Sequence, residues 1–483
     1  MRVFSEVIRR AIGAAILVPA LVGCGDINTD VTEGQAQTGE GSNGALPAPV
    51  LQSGFYMDPA SSFLVTDVAV VEDGARTKDP CKSTSALDSD MKWTFGYLMK
   101  QMANGASPSA FARSWLTSWE NSTTVNNDPL VEVRPVASDG LVNNWKPLAT
   151  LVREGWERAS GGTTLAMNKA PFRLLAIVNR FDLRKAPRNF GEGSSGELRF
   201  VFSVLDLDRP TAGFDGYCEQ YPAIKELDSG ERGEQMVILE YAVEHSTEAA
   251  RRAWALAWAD LTTYPRGSAE FASRLQALTE KVAVKGAGGT RANGSALIRI
   301  RTNETTNSLK WDLREFVINA STHLVVPTTV KQTPAGPLNG SNDLALWMQR
   351  SSSSILNGTY VVPDRFPTSQ GYSNTYFRGS HALNQFGITF WKGGTRYPVN
   401  ADVRHEFSKN TCSGCHSKET GSQFFHVHGR EPGGESRLSS FLTGNSDGSP
   451  FCISDPVVPS IQRCFNELQR RNDDLLSYLN TGI

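Results

Sequence analysis

What most constrains the fold is a series of strand-like segments, several of which follow one another with no helix between them. Leu198, Phe200, Phe202 and Val204 alternate with Glu197, Arg199 and Ser203, the period of two that separates the faces of a strand. Leu309, Trp311, Leu313 and Val317 repeat the pattern. Residues 172–178, 236–243, 296–301 and 323–329 are further strands, the first apolar on both sides and so expected near the sheet centre. Parallel neighbours need long crossovers, usually helical. Their absence predicts an α+β body with a mainly antiparallel sheet.

Packed helices are expected in two clusters. Residues 93–102 and 109–120 form an early pair, the second opened by Ser107-Pro108 as cap and first-turn proline. In the middle of the chain, Ser246 is placed to cap a helix carrying Trp254, Trp258 and Leu261. A second helix bears Phe271, Leu275, Leu278 and Val282 before stopping at Lys285-Gly286. These stripes read as packing faces, and no solenoid period is present. The net charge of −2 leaves no electrostatic footprint for nucleic acid, while 40% apolar content over 483 residues supports a large core.

The N-terminus points to the cell envelope. Arg2, Arg9 and Arg10 precede an apolar run over 11–20, the pattern of a secretory signal peptide. Leu21-Val22-Gly23-Cys24 resembles the bacterial lipobox, which makes 1–23 a lipoprotein signal peptide and Cys24 the lipidated first residue. The run is too short for a permanent membrane span. Gly25 stands where an aspartate commonly retains lipoproteins at the inner membrane, which favours the outer membrane. Residues 24–50 lack apolar periodicity and read as a flexible tether to a body over 51–396.

Chemistry concentrates after residue 397. Cys412-Ser413-Gly414-Cys415-His416 has the spacing that attaches haem c covalently: two thiols for the porphyrin vinyl groups and an imidazole for the iron. A short amphipathic helix with Val403 and Phe407 precedes it. Strands are expected to disappear, and a terminal helix carries Ile461, Phe465, Leu468, Leu475 and Leu479 on one face. Residues 397–483 thus resemble a small class I-like cytochrome c. Such domains usually supply a downstream methionine to iron, yet no methionine follows Met348.

Histidines are the expected replacement, since His405, His416, His426 and His428 cluster here. His416 is the proximal ligand in this reading, with His426 first choice for the distal position, then His428 and His405. Bis-histidine ligation lowers the potential relative to His/Met. Arg430 and Arg437 are candidates for the haem propionates. Zinc held by Cys412, Cys415, His426 and His428 is the alternative, although only one residue separates the two histidines and zinc has no use for His416. A redox dithiol would need a βαβ setting that is not apparent.

Four cysteines remain. Cys452 is expected to pair with Cys464 around Pro456-Val457-Val458-Pro459, leaving Cys81 for Cys218, with free buried thiols as the alternative for both pairs. Gly444-Asn445-Ser446-Asp447-Gly448 matches a nucleophile pattern but lacks its strand-turn-helix context. Asn179-Arg180-Phe181-Asp182, Arg301-Thr302-Asn303-Glu304 and Arg314-Glu315 would form a polar or hydrolytic site if they converged, and otherwise an arginine-carboxylate network.

Over nearly its whole length the chain resembles a group of envelope lipoproteins of myxobacteria and related bacteria. The likeness lies in residues 172–184, 301–304 and 410–416, with Glu419-Thr420-Gly421 and Phe441-Leu442-Thr443-Gly444. It implies this architecture and localisation and supplies no substrate. The expectation is a lipid-anchored monohaem protein that passes electrons to a redox partner. A zinc-bearing binding or structural protein is second, and a hydrolase third.

Overall fold

Among the described residues, alternation translates into a sheet of nine strands joined by eight antiparallel pairings: β1 (Leu64–Val65), β2 (Phe172–Arg180), β3 (Glu197–Pro210), β4 (Cys218–Gln220), β5 (Gln235–Ala242), β6 (Leu297–Thr305), β7 (Lys310–Ile318), β8 (Val325–Thr328) and β9 (Ala382–Gln385). Their spatial order is β1-β2-β3-β5-β6-β7-β8, with β9 also on β7 and β4 against the far part of β3. In this computed structural model the described residues are 57–481 apart from 82–90, 122–123, 127, 129–134, 138–144, 186–193, 211–217, 221–234, 306–309, 369–370, 386–389 and 423. The signal peptide, Cys24, the tether and Leu309 lie outside them.

Register decides what each face carries. Ile177, Phe200, Leu239, Ile300 and Phe316 are neighbours in one row across five strands, all buried. Helices Phe95–Ala103, Pro108–Glu120, Leu148–Ser160, Glu248–Asp260 and Ala269–Glu280 contribute to the same core. Phe95 stacks on Phe172 at 3.8 Å and meets Phe202 edge-on at 5.3 Å. Ser107 caps as expected, accepting from the Ala110 amide at 3.2 Å. Thr247, not Ser246, caps the Trp254 helix, and the following helix stops at Glu280, before the turn at Lys285.

The opposite sheet face carries charge and is buried all the same. Glu197, Glu240 and Glu315 are fully buried there, interleaved with Arg199, Arg299 and Arg301. The C-terminal part of the chain supplies the cover. Val403 and Phe407 join a second core with Leu344, Trp347, Tyr360, Phe377 and Trp391, while Phe425, Phe441, Phe465, Leu475 and Leu479 belong to the main one. Residues 397–483 therefore share both cores with the chain before them, inside one compact unit, Ala48–Ile483.

Strands do not disappear after residue 397, contrary to expectation. β10 (Phe451–Ser454) and β11 (Gln462–Phe465) form a hairpin in which Cys452 lies directly opposite Cys464 and is bonded to it. The terminal helix is Glu467–Thr481, so Ile461 and Phe465 precede it. Phe465 reaches the core from a strand, which a helical period cannot distinguish. Cys81 is bonded to Cys218, Cα to Cα 5.3 Å. No helix among the described residues is long and apolar enough to cross a membrane.

Candidate functional site

The cysteine motif is a single helical turn, Cys412–Cys415, directly after helix Ala401–Lys409. Thr411 starts it, its hydroxyl accepting from the Gly414 amide at 3.0 Å. Only glycine fits at 414, because a Cβ there would lie 2.0 Å from the Ser408 carbonyl oxygen. The body then fixes the turn. Asn384 of β9 donates to the carbonyls of Ser413 at 2.7 Å and His416 at 3.0 Å, and the Trp391 indole donates to the Ser413 hydroxyl at 2.9 Å. The Cys412 amide donates to Thr333 at 2.9 Å.

His416 is oriented from two sides. Its Nδ1 is bonded to the Phe424 carbonyl, an acceptor only, so Nδ1 carries the proton and Nε2 keeps its lone pair. Its ring stacks on Trp311 of β7 at 4.7 Å. Burial pushes its pKa down to about 4, so the imidazole is neutral at physiological pH. Neither Cys412 nor Cys415 is in a disulfide, and burial raises both thiols, Cys415 to about 12. A reactive dithiol has the reverse shift.

His426 is a neighbour of this group. Its Nε2 is 3.3 Å from the Cys415 sulfur and its Nδ1 2.9 Å from the Ser439 hydroxyl. The His416 and His426 ring centroids are 4.4 Å apart. Two imidazoles bound across one metal would need roughly 6 Å, from two ~2 Å metal–nitrogen bonds and the ring radii. The expected distal ligand thus lies beside His416 and is turned toward a thiol.

All four residues, Cys412, Cys415, His416 and His426, line one cleft of about 480 Å³, within the range of ~300–1,000 Å³ usual for small-molecule sites. The sheet contributes Val178, Val201, Met236, Ile238 and Leu313, and the C-terminal part Phe441 and Leu442. Seven lysine and arginine side chains line it against three carboxylates. Arg180 holds Asp182 through two bonds of 2.9 Å. Burial alone would raise Asp182, but Arg180 and Arg471 outweigh it and hold its carboxyl far below the usual range. Arg471 is buried, its Nε has no hydrogen-bond acceptor, and its nearest carboxylate oxygens are 3.8 and 4.0 Å away.

Other expected residues lie elsewhere. His405 is bonded to Glu419, which with Asp455 also holds Arg404. Arg430 is buried against Glu72 and the Leu174 carbonyl, and Arg437 lies 3.4 Å from His428; none of these four lines the cleft. The polar knots converge only in part: Arg180, Asp182, Arg301 and Asn303 line the cleft, and Arg314 does not. Arg301 pairs with Glu315 at 2.8 Å on the cleft side, whereas Arg314 and Glu304 meet at 3.4 Å beside Trp119 of the helical layer. Ser446 sits in an exposed turn, outside any strand-turn-helix elbow. Trp311, Asn384, Met236 and Arg471 escaped the sequence reading. Alternation put Trp311 and Leu313 on one face, but nothing local said what would cover it.

No protein-family model matches this chain, and no curated protein or solved structure is significantly similar to it.

Proposed function

We propose that the chain is a lipid-anchored envelope protein that carries one covalent haem on Cys412 and Cys415, with His416 as an axial ligand, and transfers electrons to a partner protein. The observation that carries this reading is His416. A neutral imidazole with Nδ1 occupied and Nε2 free, one residue from a thiol and inside a cleft of small-molecule size, is prepared to ligate iron. The residues present fit the group: two free thiols, an apolar floor and a cationic excess for two propionates. Each thiol would add across a vinyl double bond, sulfur to one carbon and hydrogen to the other, so attachment would consume no oxidant. Bound there, haem supplies a one-electron ferric/ferrous couple.

The chain's own residues do the rest. Trp311 and the Phe424 carbonyl hold the His416 ring, and Asn384 holds the turn that bears the thiols. Val178, Val201, Ile238, Leu313, Phe441 and Leu442 offer apolar surface to a macrocycle, and Arg180, Lys185 and Arg471 suit anionic carboxylates. Cys24 would tether the body to the membrane, with the outer membrane as the expected site.

The zinc reading has less support. Among the described residues, the groups of three whose ligand atoms lie within 4.8 Å are Asp79, Cys81 and Cys218, and His405, Glu419 and Asp455; neither includes Cys412 or Cys415. The hydrolase reading has one knot carboxylate lining the cleft, Asp182, and Arg180 holds it through two bonds. The test is full-length protein made in an envelope with active haem attachment, assayed by haem-linked peroxidase staining after denaturing electrophoresis and by metal analysis. One haem per chain, abolished in Cys412→Ala/Cys415→Ala, is expected. Stoichiometric zinc without haem would defeat the reading.

A further inference from the structure

We propose that Met236, on the sheet, supplies the sixth ligand to the iron. This rests on the covalent-haem reading above. The C-terminal part of the chain has no methionine, and its first-choice histidine, His426, is turned toward the Cys415 sulfur. The fold brings one in from strand β5. Met236 lies on the cleft-facing side with Ile238 and Glu240, is in register with Asn303, and lines the same cleft as His416. Asn303 is paired with Leu313 on the neighbouring strand and is bonded to the indole of Trp311, the residue on which His416 stacks. Met236 therefore stands two strands from the anchor of His416, roughly 10 Å across the sheet at a strand spacing of ~4.8 Å. A methionine and a histidine side chain reaching toward each other over such a span can bring sulfur and nitrogen to the ~4–5 Å that two metal bonds of about 2 Å each require.

The other candidate ligands lining the cleft are engaged. Lys409 pairs with Glu406 at 2.7 Å and Lys185 with Asp474 at 2.7 Å. His426 is turned to the Cys415 sulfur, which belongs at the edge of an attached macrocycle, away from its centre. Tyr360 is a buried phenol close to the Phe407 carbonyl. The thioether needs no deprotonation and is a known axial partner of histidine in c-type haem proteins. It also makes the site join two distant parts of the chain, which explains how a haem-binding segment can lack its own methionine.

The test uses the full-length holoprotein. Covalent haem is first counted by peroxidase staining and pyridine haemochrome, and a wild type without covalent haem overturns the underlying reading and this inference together. With haem attached, the ferric wild type is expected to show the near-infrared sulfur-to-iron charge-transfer band. The ferrous form should show a methionine methyl proton resonance shifted upfield by the porphyrin ring current. Met236→Leu, close in volume, should keep the haem, lose both signals and lower the midpoint potential, whereas His426→Ala should keep both. A haem-loaded wild type lacking the band overturns Met236 without touching the haem reading, and needs no variant to fold. So does a Met236→Leu protein that retains the band, or a low-spin wild type converted to high spin by His426→Ala alone.

Discussion

Arg404 shows how a residue that looks like surface charge in the sequence becomes structural. It is buried and bonds Glu419 at 2.6 and 2.8 Å and Asp455 at 2.8 Å, joining the helix before the thiols to the loop after them and to the end of β10. Arg404→Ala would remove the cation that two buried carboxylates share, leaving Asp455 to Arg463 and Glu419 to His405, at a cost below the about 3–5 kcal/mol of a wholly unpaired buried charge, read by urea denaturation. The same cluster sets an acid limit. Burial would raise Asp455, yet amide bonds from Val457 and Val458, with Arg463 and Arg404, bring it down to about 2 from 3.8. A depressed carboxylate stabilises the fold above its unfolded value, and this contribution is lost as pH falls through the folded one. Thermal stability should therefore drop between pH of about 4 and about 2, and drop less steeply in Asp455→Asn; an unchanged acid limb in that variant would remove Asp455 from the account.

At the scale of elements, the thiol-bearing turn depends on how closely it follows helix Ala401–Lys409. The missing Cβ of Gly414 lets the turn lie on the Ser408 carbonyl, and that contact aims Cys412, Cys415 and His416 into one cleft. Gly414→Ala would force the two apart, for about 1–3 kcal/mol of overpacking strain. Under the covalent-haem proposal, its haem content in envelope-expressed protein should fall well below that of wild type, while that of Ser413→Ala, which loses the bond from Trp391, should fall less. Equal loading of Gly414→Ala and wild type would show that the close approach is dispensable. The strand elements contribute differently: β7 brings Trp311 under His416, and β9 brings Asn384 to the turn's carbonyls.

For the whole molecule, the sheet has two covers, helices on its apolar face and the C-terminal part on its charged one. A chain ending at Tyr397 would lose Val403, Phe407, Phe425, Phe441, Leu442, Phe465, Leu468, Leu475, Tyr478 and Leu479 from the two cores. At about 1.5–3 kcal/mol for each large apolar side chain, the loss exceeds the ~5–15 kcal/mol by which a domain is stable. The truncated chain should show no cooperative thermal transition by circular dichroism. A sharp transition would instead establish an independently folding body over 51–396.

What could be read from the sequence was local. The alternation of Leu198, Phe200, Phe202 and Val204 set a strand and its two faces, Ser107-Pro108 set a helix start, and the CxxCH spacing marked Cys412, Cys415 and His416. Each depends on neighbours within a few residues, where backbone geometry and side-chain direction are dictated by periodicity. The Cys452–Cys464 pairing was open to inference from the proline-rich loop between them, and Cys81–Cys218 only because those two cysteines remained. Other features belonged to the tertiary structure: that the face bearing Arg199, Glu240 and Arg301 is buried, that Trp311 and Asn384 hold the motif, and that His426 stands beside His416. These depend on which distant segment covers which face of the sheet. A period of two separates the faces of a strand, but it carries no information about what will lie against them.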